Sequence, residues 1–270
     1  MMRRSGLVVL LILAAALARG AETAKEHPLL PLVKYASERY RQIDEQVKDY
    51  TCTLVKRELV EGRLSDTEFL FLKLRHGRTP QGEPAVPFSV YLRFLAPAQL
   101  EGREVLYVEG RYHGKLIARR GGLRMAYMTF GLDPKGGLAM QDNRYPITEI
   151  GFKNLMNRLI EVANEDMQYG ECEVKYFTGA KINGRSCTMA QVTHPVPRPH
   201  FRYHMARIFI DDALQLPIRY AAYDWPETPA GQPRLMEEYT YLDLKLNVGL
   251  TDRDFDYRNE SYNFRKDFEP

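Results

Sequence analysis

Cysteine is scarce in this sequence, three residues in 270, which excludes a disulfide-dense scaffold or a cysteine-rich metal site. An excess of either charge is also missing. Lys and Arg total 38 against 35 Asp and Glu, a formal net charge of +3, and Arg3, Arg4 and Arg19 all fall near the N-terminus. The rest of the chain is therefore near neutral. Its basic clusters, such as Lys56-Arg57 and Arg119-Arg120, are short and interleaved with apolar residues. They read as solvated strand faces, and no basic surface for nucleic acid is expected. Past the N-terminus there is no long uncharged apolar run, hence no second membrane-spanning helix. The Gly-x-Ser-x-Gly elbow, the phosphate-binding loop and the His-Glu-x-x-His motif are absent, as are internal repeats and low-complexity tails.

What is present begins with an export signal. Arg3 and Arg4 precede an unbroken apolar run from Leu7 to Leu17, and Ala16-Leu17-Ala18 supplies small residues for cleavage. The run is shorter than the roughly 20 residues that cross a bilayer. Residues 1–20 are expected to be a signal peptide and residues 21–270 a single exported domain, periplasmic or secreted. A domain of about 250 residues can bury a substantial core without covalent staples.

Over residues 28–47 the apolar positions Leu29, Leu32, Val33, Ala36, Tyr40, Ile43 and Val47 recur at steps of three and four, the stripe of an amphipathic helix. At Tyr50 the period changes to two. Tyr50 to Glu58 alternates and is rich in β-formers; Leu70, Leu72 and Leu74 share one face of the next strand. Residues 76–87 carry prolines and glycines and read as a loop. Phe88, Val90, Leu92 and Phe94 then face one way, with Ser89, Tyr91 and Arg93 opposite. Further strands are expected over 103–109, 115–119, 171–177, 186–193, 203–210, 217–223 and 235–246. A second helix is signalled after Tyr145-Pro146, with Thr148 as its N-cap. Short strands with a turn signal every ten or so residues mark an antiparallel sheet.

Candidate chemistry is thin. His194, His200 and His204 invite a metal site. An i, i+4 pair on a strand, however, spans about 13 Å, and no carboxylate or thiolate stands near them in sequence. Asp211-Asp212 precedes Leu216-Pro217 and reads as a turn. No metal, cofactor or catalytic constellation is expected, and the protein reads as a non-enzyme. Cys172 and Cys187 lie in neighbouring strands about the turn signal Asn183-Gly184. Oxidation on export predicts a Cys172–Cys187 disulfide, the alternative being two separately buried thiols. Cys52 is expected to be buried.

Four stretches carry a resemblance. Pro87-Phe-Ser-Val-Tyr-Leu-Arg-Phe, Gly102-Arg-Glu-Val-Leu-Tyr-Val-Glu-Gly110, Arg144-Tyr-Pro-Ile-Thr-Glu-Ile-Gly151 and Glu237-Glu-Tyr-Thr-Tyr-Leu-Asp-Leu-Lys-Leu-Asn247 resemble an exported family of unknown function from planctomycete bacteria, number 1571. The order of elements, including the Asp211-to-Pro217 turn and a late Asp252-to-Phe255 segment, is similar to the periplasmic lipoprotein carriers LolA and LolB and the sensor RseB. That likeness implies an α+β fold: a large curved antiparallel sheet forming an open half-barrel, its concave face covered by helices. It implies an apolar cavity that takes an acyl chain, lined by Leu32, Ala36, Tyr40 and Ile43 of the first helix and by Leu70, Leu72, Leu74, Phe88, Val90, Leu92 and Phe94. An ordinary packed core accounts for the same residues. The expected function is therefore a lipid or lipoprotein carrier, with an apolar ligand or acylated protein as partner. The alternative is an interaction or regulatory module binding another periplasmic protein, and a third reading is a hydrolase assembled from distant residues.

Overall fold

Alternation along the chain translates directly into sheet. In the computed structural model, which describes residues 26–79, 81–82, 85–122, 128–228 and 230–270, helix α1 (Leu30–Gln46) leads into strand β1 (Asp49–Val60). The expected signal peptide lies outside the described residues. Strands β2 (Arg63–Leu64), β3 (Glu68–Arg75), β4 (Ser89–Ala96), β5 (Glu104–Val108), β6 (Leu116–Arg119) and β7 (Thr129–Leu132) follow. A four-residue helix α2 (Gly137–Met140) and helix α3 (Phe152–Asp166) intervene. The chain then returns to β8 (Glu173–Ile182), β9 (Arg185–Thr193), β10 (Met205–Asp211), β11 (Pro217–Asp224) and β12 (Arg234–Leu246).

These strands form one antiparallel sheet in the order β7-β6-β5-β4-β3-β1-β12-β11-β10-β9-β8, with β2 beside β1. Strands β7 and β8 end the path, so the sheet is open. Neighbours in the sheet follow one another in sequence except that β3 pairs with β1 across the short β2, and at the seam of β1 with β12, where Tyr50 faces Leu246 and Glu58 faces Glu237. The fold class is the expected one, α+β on a large open antiparallel sheet with helices against one face.

Side chains on that inner face form cross-strand rows. Tyr50 faces Leu74, which faces Val90; Cys52, Leu72 and Leu92 make the next row; Leu54, Leu70 and Phe94 the one after. The helices seal the first of these. Phe152, the first residue of α3, is fully buried and stacks on Tyr50 with ring centroids 4.4 Å apart. Helix α1 and its two capping residues add Ile43 and Val47 to this cluster, and Leu29 and Val33 to a second one over β9–β11. An ion pair from Lys153 to Asp44 ties the helices together. The stripe of α1 is thus satisfied by α3 and the sheet, not by solvent.

The outer face of β4–β6 is covered by the end of the chain. Phe255, Tyr262 and Phe264 pack on Tyr91, Leu106, Val108 and Ile117, and Tyr262 stacks on Tyr91 at 3.9 Å. Lys73 binds Asp254 at 2.8 Å and Arg75 binds Asp252 at 2.8 Å, fixing the strap to β3.

Two expectations are corrected. The three cysteines are free and buried, and Cys172 and Cys187 do not pair. A hairpin joins residues equidistant from its turn, and these two are not. The register sets Cys187 opposite Ala180, whereas Cys172 precedes Glu173, which faces Thr193 at the far end of β9. The separation is about 20 Å at ~3.3 Å per residue, beyond disulfide reach. The N-cap of α3 is Gly151, not Thr148, which lies in a short 3-10 turn, Ile147–Glu149. Gly151 has φ +106, and a Cβ there would stand 2.7 Å from Leu74 Cδ1 and 2.8 Å from the Tyr50 hydroxyl. Only glycine lets the chain cross the core so closely.

Candidate functional site: a cavity between the sheet and helix α3

Further along the strands the helices no longer seal the inner face. A cavity of about 1280 Å³ opens there, walled by β1, β3–β7, β11 and β12 and roofed by residues 138–150 and α3. Its apolar wall comes from Leu54, Leu70, Leu92, Phe94, Val105 and Leu116; Leu155 and Leu159 face it from α3.

The expected lining divides three ways. Leu70, Leu92 and Phe94 line this cavity. Leu32 and Ala36 border a separate crevice of about 60 Å³ between α1 and α3. Ile43, Leu72, Leu74 and Val90 are packed core, with Tyr40 and Phe88 partly buried against it.

Sequence reasoning missed the polar part of the wall. The inner face of β1 reads Tyr50, Cys52, Leu54, Lys56, Glu58, so the alternation that buries Leu54 also turns Lys56 and Glu58 inward. Lys56 is 8 % exposed, not a solvated strand residue. Its Nζ lies 3.0 Å from Glu58 and 3.5 Å from Glu68, and donates to Asn143 at 2.7 Å. The Tyr239 hydroxyl donates to Glu58 at 2.5 Å. Glu237 accepts from Tyr145 at 3.2 Å and pairs with Arg144 at 3.0 Å. Burial raises the carboxyls of Glu68 and Glu237 above the usual range, against the pull of Lys56 and Arg144 respectively. Burial also pushes the Tyr145 phenol up to about 12. The wall therefore passes from aliphatic to ionic within about 13 Å along β1, a polarity suited to an amphiphile.

The histidines stand apart from this cavity wall. His194 is fully buried, stacked on Phe201 at 3.9 Å, with Nε2 3.4 Å from Asp166 at the end of α3. His200 stacks on Tyr169, and His204 bonds the His194 carbonyl through Nδ1. Asp211 serves its turn as expected, accepting from the amides of Ala213 and Leu214. Cys52 is buried, which drives its thiol far above the usual range.

Burial lifts the Asp166 carboxyl from 3.8 to about 6, against a hydrogen bond from the Tyr203 hydroxyl. Between these values the folded state holds a proton that the unfolded chain has lost, so this group's contribution falls as pH rises from about 4 to 6. Asp166→Asn should gain on the order of 1 kcal/mol over the wild type at pH 7.5, an advantage that vanishes near pH 4. Urea unfolding at both pH values checks this.

A cavity on the inner face of an open antiparallel sheet defines the class of protein. The chain belongs to the family of proteins of unknown function DUF1571, whose model matches residues 47–264. No curated protein matches it. Among solved structures it is similar to a LolA superfamily protein from Nitrosomonas europaea, at 12% identity over 82% of this chain and 97% of that one, TM-score 0.32. The Mycobacterium tuberculosis lipoprotein LppX is 12% identical over 84% and 99%, TM-score 0.41. A chain of the Pseudomonas aeruginosa MucA/MucB complex is 16% identical over 83% and 60%, TM-score 0.44. The likeness is one of general chain course. Among the described residues no helix is long and apolar enough to cross a membrane.

Proposed function

We propose that this is an exported, non-enzymatic binding protein that holds an apolar ligand, the acyl chain of a lipid or of an acylated protein, between its sheet and α3. The observation that carries the reading is the cavity of about 1280 Å³, whose wall grades from Leu54, Leu70, Leu92 and Phe94 to the ionic row of Lys56, Glu58 and Glu237. Small-molecule sites run to roughly 300–1,000 Å³, so a chain and its head group both fit. Burying a 14-carbon chain at about 0.8 kcal/mol per CH2 gives on the order of 10 kcal/mol of gross transfer energy. That suffices to draw the chain from water and still release it to a bilayer.

One observation favours a protein-interaction module instead. The ten-residue β8 is an edge strand, and it exposes Tyr176 and Phe177. Native mass spectrometry of the purified protein, with organic extraction and titration with fatty acid and phospholipid, separates the two. The carrier reading expects a one-to-one acyl adduct, lost in Phe130→Glu and Leu132→Glu, two half-buried wall positions. A bare protein mass with no uptake of added lipid overturns it.

A further inference from the structure

The cations around the cavity are not equivalent. Lys56 is neutralised by Glu58 and Glu68, Arg144 by Glu237, Arg158 by Glu161 and Arg202 by Glu165. Arg103 is different. It lines the cavity half-buried, its guanidinium 5.3 Å from the centre of the Phe94 ring. Among the described residues its side chain makes no hydrogen bond and no ion pair. Burial lowers its pKa, and the carboxylates that act on it electrostatically, Glu68 and Asp142, do so from beyond contact. A guanidinium nevertheless stays charged in a protein and presents five donors in a planar fork. Here that fork faces a cavity.

Its neighbours add positive charge. Phe94 and Arg103 are joined through the Phe94 amide and the Arg103 carbonyl at 2.9 Å. In the next strand Glu104 faces Arg119, so the register sets Arg120 across from Arg103. Like charges placed opposite one another on a sheet repel. Arg119 donates through Nη1 to the Gly102 carbonyl at 2.5 Å, while its Nε is buried without a partner. Gly121 holds this corner closed: a Cβ there would come within 2.7 Å of Leu100 O, Arg103 N and Glu101 O.

We propose that Arg103, flanked by Arg119 and Arg120, receives the oxyanion head, carboxylate or phosphate, of the acyl ligand. The inference rests on the cavity reading above and adds the chemistry of the head. The geometry accommodates both ends of such a molecule. Phe94 heads an apolar row that continues through Leu70 and Leu54 to Tyr241. Three strand spacings of about 4.8 Å make that row roughly 14 Å wide, a bed for the chain with the guanidinium at one end. A guanidinium that takes an oxyanion in two parallel hydrogen bonds fixes orientation as well as adding affinity.

The test is competition for bound Nile red in the whole protein by three ligands: palmitate, lysophosphatidate and uncharged hexadecanol. Arg103→Gln should weaken one or both anionic ligands about tenfold or more and leave hexadecanol unchanged. Arg103→Lys should restore part of the loss. Weakening of palmitate alone assigns a carboxylate, and of lysophosphatidate alone a phosphate. Unchanged binding of hexadecanol shows that the variant is folded and the cavity intact. Equal effects on charged and uncharged ligands, or none on any, overturn the head-group assignment and leave the cavity reading standing. A wild type that binds none of the three overturns both.

Discussion

Phe152→Ala is expected to cost about 3–5 kcal/mol of stability, the range for deleting a buried aromatic side chain. Phe152 is fully buried, stacked on Tyr50, and set edge-on to Tyr241 and His76 at 5.9 Å each. It is also the residue where α3 begins, directly after Gly151. Its truncation leaves a cavity whose walls, Tyr50 and Leu74 among them, are held in sheet register and cannot collapse to fill it. A shift of about 10 °C in Tm follows for a domain of this size. Because α3 roofs the cavity, the variant should also exchange the proposed acyl ligand faster. Thermal and urea denaturation measure the first effect. Stability within 1 kcal/mol of wild type, by the ~1 kcal/mol scale of ordinary substitutions, would mean that the helix is anchored elsewhere.

Lys56→Met is the second large effect. The substitution preserves length and apolar stem but strips the cation from Glu58 and Glu68, which are 4 % and 6 % exposed. Removing one partner from a buried ionic group costs about 3–5 kcal/mol because the remaining charge is stranded. The loss should be largest at pH 8 and smaller at pH 5. Burial already holds the Glu68 carboxyl above the usual range, and without Lys56 it rises further. The folded variant then takes up a proton that the unfolded chain does not, so its deficit shrinks as pH falls. Adding Glu68→Gln should recover part of the loss at pH 8. Urea unfolding at pH 5 and 8 reads all of this, and a pH-independent deficit would contradict it.

The elements were legible wherever one face alone is apolar. The run from Phe88 to Phe94 and the triplet Leu70, Leu72, Leu74 announce their strands because solvent or the strap takes the other face. β7 was not legible: Thr129-Phe-Gly-Leu is short, and Gly131 sits inside it. The N-cap of α3 was misplaced because Thr148 has the right chemistry locally, while tertiary crowding at Leu74 and Tyr50 demands the glycine three residues later. Half of the candidate site was hidden for a different reason. Lys56, Glu58 and Glu237 look like exposed strand positions by residue type, and only their parity with Leu54 and Tyr239 betrays that they point inward. The disulfide expectation failed on counting, since the distances from Asn183-Gly184 to the two cysteines differ.

The strap on the outer face carries a consequence for how the molecule is made. The patch it covers, Tyr91, Leu106, Val108 and Ile117, is complete well before Phe255, Tyr262 and Phe264 are made. At about 5–20 residues per second, ribosomal synthesis leaves that patch bare for roughly 7 to 30 seconds. The free edge of β1 waits longer still, since the strand ends at Val60 and its partner β12 does not begin until Arg234. A nascent chain thus presents an unpaired strand and an aromatic surface together, the combination that invites aggregation. Holding factors that bind apolar segments would act on this interval, and deletions from the C-terminus should lower yield more than they lower the stability of whatever folds.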